Sequence, residues 1–348
     1  MAVLTVLAAG GGDYTTIATA LGDADPGDTI NILDESTYSE NRLDIFDANL
    51  TIQHTASELG RPVIDATGGT HAFQPYGAGF TTYVGLEIKG GTSYTFKKGH
   101  ADYAKLHVSG CFIHSTPRLN SHTFYNTSGT PSTIKQSVLY FDGTSTGMFV
   151  GDGLEISNCL ITASAGTDPL VAGYSATTNT ASFSTFIHRG SNTGLIVSAW
   201  SKVINCIVTG SGMGIGSDDH TYNLLSVSGE DFRNYADNAN GSAGTGDVID
   251  TNPLFVDGAV IGPAASVAAN YNLQESSPAI DEGTAFDSIV VDITGTARPQ
   301  GDDPDIGCFE YVAAASGYAN TIIGVVAGSL GKILDVATAD VSKVLGIE

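Results

Sequence analysis

Three neighbouring side chains in the second half of the chain have the types needed for acid–base chemistry. The segment GIGSDDHTYN carries Asp218, Asp219 and His220 in succession. Hydrolysis of a glycosidic bond needs two carboxyl groups astride the bond, one protonated and one ionised. Adjacent residues of a strand point to opposite faces, so Asp218 and Asp219 can work together only from a loop. A solvated turn is the reading these residues favour, with paired acids as the alternative. A lyase route needs instead a base, together with a cation held by clustered acids that acidifies the proton to be removed. Of the six arginines, Arg42, Arg61, Arg118, Arg189, Arg233 and Arg298, the base candidate on a repeated segment is Arg189, in FIHRG beside His188. No acidic cluster occupies matching positions of neighbouring repeats. The many Asp and Asn residues in turn contexts permit Ca²⁺ without compelling it, so no cofactor and no metal site is expected.

Those side chains need a scaffold, and the composition says which kind. The 348 residues include 43 glycines, 42% hydrophobic and only 15% charged residues. Abundant Gly with frequent Ser, Thr and Asn suits many short strands joined by tight turns. The 14 basic and 37 acidic residues leave a formal charge of −23, which repels a phosphate backbone and an anionic membrane alike. Neither nucleic acid nor membrane is expected as a partner. No run reaches the apolar length that crosses a bilayer, and MAVLTVLAAGGGDY lacks the basic region of a secretory signal, so a soluble protein without a signal peptide is expected.

Internal repetition is the main organising signal. KLHVSGCFI (105–113), GLEISNCLI (153–161) and SKVINCIV (201–208) align without gaps, with Cys111 and Cys159 separated by 48 positions and Cys159 and Cys206 by 47. Weaker copies, QSVLYFDG (136–143) and ASFSTFIHRG (181–190), lie between them. The unit is therefore about two dozen residues of strand-like alternation, as expected of parallel coils stacked into a solenoid. Equivalent residues then form ladders at a strand spacing of ~4.8 Å, and Cys111, Cys159 and Cys206 read as small hydrophobes in an inward core ladder. Their spacing and neighbours suit neither a metal nor a redox site.

A solenoid has open ends that invite edge pairing unless something covers them. AVLTVLA reads as a first strand, and DYTTIATALGDADPGD as a short helix with Thr15 or Thr16 as N-cap and Pro26-Gly27 as its stop. Ile17, Ala20 and Leu21 would face the first coil. At the other end, Pro299 and Pro304 interrupt ladder pairing, and Ile306, Phe309 and Tyr311 are expected to seal the last coil. GGDYTTIATALGDADPGDTINILDESTYSEN (11–41) resembles the opening of right-handed parallel β-helix proteins of the pectate-lyase-like superfamily. DTNPLFVD (250–257), NYNLQESSPAIDEGT (270–284) and DITGTARPQGDDPDIGCFEY (292–311) resemble the closing segment of a large group within it. The resemblance covers about residues 1–311 and implies an all-β, single-stranded right-handed parallel β-helix with an N-terminal cap over about 1–30 and a closing segment over about 250–311. It implies little about chemistry. The adjacent aspartates are similar to those of polygalacturonases, but the Asn-Thr-Asp, Gly-His-Gly and Arg-Ile-Lys motifs of that family are absent.

Beyond this body, AAASGYA within 312–320 reads as a linker, and residues 321–348 repeat with a step of eleven. Ile322, Ile333 and Val344 align, as do Ile323, Leu334 and Leu345, then Val325, Val336 and Ile347, and then Leu330 and Val341. Short strands or a mixed strand–turn unit are favoured over a right-handed coiled-coil helix, because Gly324, Gly328, Gly331 and Gly346 would each cost a helix about 1 kcal/mol. So small a segment cannot bury its own apolar stripe, so it is expected to assemble with copies of itself or a partner. It resembles C-terminal repeats of structural proteins of tailed bacteriophages, through Ile333, Val341, Lys343, Val344, Gly346 and Ile347.

The function expected from these features is that of a virion structural protein, displayed on a bacteriophage particle as a capsid decoration, head fibre or tail-associated fibre. A homotrimer is expected, joined to other virion proteins through 321–348, with host carbohydrate as a further partner. A polysaccharide lyase or glycoside hydrolase is one alternative and a bacterial surface adhesin another. Tyr83, Tyr94, Phe96, Tyr103, Tyr125, Tyr140 and Trp200 are the aromatic candidates, either to stack on sugars or to fill the core, and 115–136 is the expected projecting loop.

Overall fold

The computed structural model describes all residues except 48, 56–59, 77–78, 98–104, 116–118, 120–130, 143–147, 151–152, 165–170, 174–178, 191–194, 218, 230, 234–240, 259–268, 314–331, 334–335 and 338–348. The chain divides into two compact units, Met1–Tyr311 and Val312–Glu348.

In the first unit the described strands form parallel sheets of ten, nine and five strands, with a further parallel pair, Leu43–Ile45 and Phe73–Pro75. Each coil contributes one strand to the ten-stranded sheet and the next to the nine-stranded sheet, so the architecture is an all-β parallel β-helix. Its right-handed sense is the one that parallel strand–crossover–strand connections adopt. The alternation read from the sequence sets the register. Ile30, Ile52, Tyr83, Val108, Ile134 and Ile156 are successive partners on the inner face of the ten-stranded sheet. Ile64, Ile88, Ile113, Leu139, Ile161 and Phe186 do the same in the nine-stranded sheet. These side chains are essentially fully buried and form one continuous core.

The corner between the two large sheets is made by one residue per coil in the left-handed region: Gly85, Gly110, Gln136, Asn158, Phe183, Asn205 and Tyr222, with φ from 44° to 67°. Glycine meets that requirement without strain, and asparagine tolerates it better than most residues. Just after the corner, Cys111, Ser137, Cys159, Ser184, Cys206 and Asn223 stack in an inward row. The Ser137 hydroxyl accepts from the Cys111 amide at 3.1 Å, Ser184 from the Cys159 amide at 3.2 Å, and Asn223 Oδ1 from the Cys206 amide at 2.9 Å. The row is thus mixed, with cysteines in alternate coils. Thiol and hydroxyl do the same work, since Cys159 Sγ and Ser184 Oγ each donate to the carbonyl two residues back, at 3.3 and 2.9 Å.

A helix spans Ile17–Asp23, with Thr16 Oγ1 accepting from the Thr19 amide. Its first free amides, those of Ile17 and Ala18, donate to the two carboxylate oxygens of Glu40 at 2.9 and 2.8 Å, and Ile17, Ala20 and Leu21 are buried.

The closing segment differs from the expectation. Ile306 and Phe309 do not seal the last coil. With Phe255, Tyr271 and Leu273 they lie on the outer face of the nine-stranded sheet, forming a second core with Val138, Leu160, Ile187, Ile207 and Leu224, and Tyr311 packs at its margin. The reason is the strands themselves. Leu160–Ala163 and Thr185–His188 are buried at every position, so both faces of this sheet need cover.

In the second unit, Lys332–Ile333 pairs antiparallel with Val336–Ala337. Strand pairing therefore occurs at Ile333 and Val336. Ile322, Ile323, Val325, Leu330, Leu334, Val341, Val344, Leu345 and Ile347 lie outside the described residues.

Candidate functional site

Among the described residues, the sequence candidates for catalysis are not brought together. Asp218 lies outside the described residues. Asp219 is exposed on the side of the ten-stranded sheet, where its carboxylate meets Lys202 Nζ at 3.2 Å. His220, by contrast, is the register partner of Val203 and so ends the inward column of that sheet. Its ring stacks on Phe232 at 4.1 Å, and Nδ1 bonds Asp247 Oδ2 at 2.7 Å. The Asp247 side chain is fully buried and also accepts from the Asn223 and Gly244 amides, at 2.8 and 2.7 Å. His220 and Asp247 therefore tie the last coil to the loop that follows it, which adjacency with Asp219 concealed.

Arg189 belongs to the other large sheet, just after Thr185–His188. Its Nη2 donates to the Gly258 carbonyl at 2.6 Å, at the edge of a cavity of about 590 Å³ lined also by Thr209, Ser211, Ser226 and Phe255. Among the described residues no group of three or more His, Cys, Asp or Glu could hold a metal ion.

The cysteines have no reactive setting. Burial pushes the thiols up, Cys111 to about 11 and Cys159, Cys206 and Cys308 to about 12. All four are free and buried. Of the candidate aromatics, Tyr83, Phe96 and Trp200 are core residues. Tyr140 stays on the outer face, against His114 at 5.1 Å, and Tyr103 and Tyr125 lie outside the described residues. Most of the expected projecting loop over 115–136 does so as well.

What the structure does assemble is a recess that sequence reasoning missed. The closing segment crosses the nine-stranded sheet and reaches the corner. There, Asn158 Nδ2 donates to the Val291 carbonyl at 2.7 Å, and Asn205 Nδ2 to the Thr284 carbonyl at 2.7 Å. The intervening stretch Asp287–Val291 stands as a wall beside the outer face of the ten-stranded sheet. Between them lies a cavity of about 640 Å³. Its floor takes Glu155 and Thr180 from one outer column, and Lys135, Ser157 and Ser182 from the next. Lys135 Nζ and Glu155 Oε2 are 3.9 Å apart and both half exposed, a geometry worth little to stability. Such a recess can bind a polar ligand of modest size. The only sequence signal for it was the polar column opposite the apolar one, which does not reveal the wall.

No protein-family model matches the chain, and no curated protein does. Among solved structures, the pectate lyase Pel9A is 14% identical with a TM-score of 0.45, over 90% of this chain and 97% of that one. A pectin methylesterase from Aspergillus niger is 15% identical with a TM-score of 0.41, over 69% of this chain and 88% of that one. The pectin methylesterase from carrot is 15% identical with a TM-score of 0.41, over 72% and 88%. At these levels the fold rests on the strand topology described above.

Proposed function

We propose that this chain is a virion structural protein of a bacteriophage: a parallel β-helix displayed on the particle surface as a decoration or fibre, which recognises carbohydrate on the host. The observation that carries the recognition role is the dispersal of the described candidate groups, Asp219, His220 and Arg189. Asp219 is paired with Lys202, His220 is engaged by Asp247, and Arg189 lies on a different sheet. A stacked scaffold with a recess on its side suits binding better than bond cleavage.

The helix at Ile17–Asp23 acts as the cap of the first coil in this reading. The segment 321–348 joins three copies and anchors them to other virion proteins. Supporting that role are the eleven-residue repeat, its resemblance to phage structural proteins, and the strand pairing at Lys332–Ile333 and Val336–Ala337.

The test is to incubate the full chain with a panel of bacterial polysaccharides, following both retention on immobilised glycan and loss of viscosity. Retention with unchanged viscosity is expected. A fall in viscosity that is lost in Asp218→Ala, Asp219→Ala or Arg189→Ala would instead establish the polysaccharide lyase or hydrolase alternative.

A further inference from the structure

The recess between the ten-stranded sheet and the wall at Asp287–Val291 has features that its packing role does not require. At its base, Asn158 is 4% exposed and its Nδ2 holds the Val291 carbonyl, which fixes the wall against the floor. The wall begins with two successive non-glycine residues in the left-handed region, Asp287 at φ 49° and Ser288 at φ 55°. Backbone strain of this kind persists where the surrounding structure holds it, often at ligand sites. The same wall presents Val290, 63% exposed, in a recess lined also by Thr180.

We propose that this recess binds a neutral hexopyranose unit of a glycan. A sugar ring has hydroxyl edges and an apolar C–H face. The edges meet Thr180 and Glu155 on the floor, while the C–H face lies on Val290. Charge selects against acidic sugars. Glu155 and Asp287 line the recess against the single cation Lys135, in a chain of formal charge −23. The inference rests on the glycan-recognition reading and names the site and the class of sugar.

The test uses the full chain and isothermal titration calorimetry with hexamers of neutral glucans and galactans, of galacturonate, and of glucosamine. Thr180→Val and Glu155→Ala remove partners of the sugar without touching the core, and Val290→Asp places a charge on the apolar wall. At least one neutral hexamer is expected to bind, on the order of tenfold more weakly to Thr180→Val and to Glu155→Ala, and not measurably to Val290→Asp. Melting temperatures of the three variants should match the parent. Neutral binding that all three variants retain would overturn the site while leaving glycan recognition standing. Tighter binding of the galacturonate or glucosamine hexamer would overturn the neutral assignment. If no glycan binds the parent chain at all, the recognition reading falls and this inference with it.

Discussion

Asn205 and Thr284, 79 residues apart, face each other as two strand residues would: Asn205 Oδ1 accepts from the Thr284 amide at 2.9 Å, and Asn205 Nδ2 donates to the Thr284 carbonyl at 2.7 Å. The contact belongs to a row. Gln136, Asn158, Phe183 and Asn205 turn successive coils from one large sheet to the other, and each meets the closing segment. Gln136 reaches the Asp292 carbonyl, Asn158 the Val291 carbonyl, and Phe183 lies under the Arg298 guanidinium at 4.6 Å. The corner thus holds the wall of the recess in register with the coils. Asn205→Asp would set a carboxylate oxygen against the Thr284 carbonyl, and a loss of about 1–3 kcal/mol is expected. Asn205→Gly keeps the left-handed backbone and should cost less. Thermal melts rank the two variants, and no loss in either would show that the side chain does not hold the segment.

The closing segment also encloses an ion pair. Arg298 Nη1 and Glu310 Oε2 are 2.7 Å apart with side chains 1% and 0% exposed, and Arg298 donates to the carbonyls of Asp305 and Gly307 at 3.0 and 2.8 Å. Removing the cation strands a buried carboxylate. Arg298→Ala is expected to cost about 3–5 kcal/mol in chemical denaturation, with Arg298→Lys intermediate because it keeps the charge and loses the planar fork. A loss below 1 kcal/mol in Arg298→Ala would contradict this burial.

Asp305 provides a pH dependence of unusual sign. Burial raises its carboxyl from 3.8 to about 6, against the lowering effect of the Tyr311 and Asp281 amides that bond it. The folded protein therefore binds the proton more tightly than the unfolded chain. The associated stability is fully present below pH 3.8 and is lost as pH rises through about 6, on the order of 3 kcal/mol in all. Melting curves between pH 4.5 and 7.5 should show the parent losing stability relative to Asp305→Asn as the pH rises. Parallel profiles would rule the effect out.

The thiols give a direct probe of the folded state. All four cysteines are buried and held as thiols by that burial. An alkylating reagent at pH 8 is expected to label none in the native protein and all four in denaturant, read by intact mass. Cys159→Ser should be tolerated within about 1.5 kcal/mol, because Ser137 and Ser184 occupy the equivalent place in the neighbouring coils.

The parallel coils were legible because alternation at a fixed period survives in most copies, as KLHVSGCFI and GLEISNCLI show. The closing segment's position was not. Its partners are the second apolar face of strands such as Val138–Phe141 and Ile207–Gly210, whose nearly continuous apolar runs record burial on both sides without saying by what. His220 misled for a related reason. Chemistry was read from its neighbour Asp219, whereas its place in the inward column depends on a register with Val203 set across a coil. The recess was hidden too, since it joins residues 135–182 to residues 287–291.

The central claim, a recognition body displayed through a C-terminal assembly segment, is tested most directly by light scattering on the full chain and on a version ending at Tyr311, the boundary between the two compact units. A full chain at three times the monomer mass, with the shorter version a folded monomer, is the expected result. Monomers in both cases, or a trimer that survives the truncation, would contradict the account.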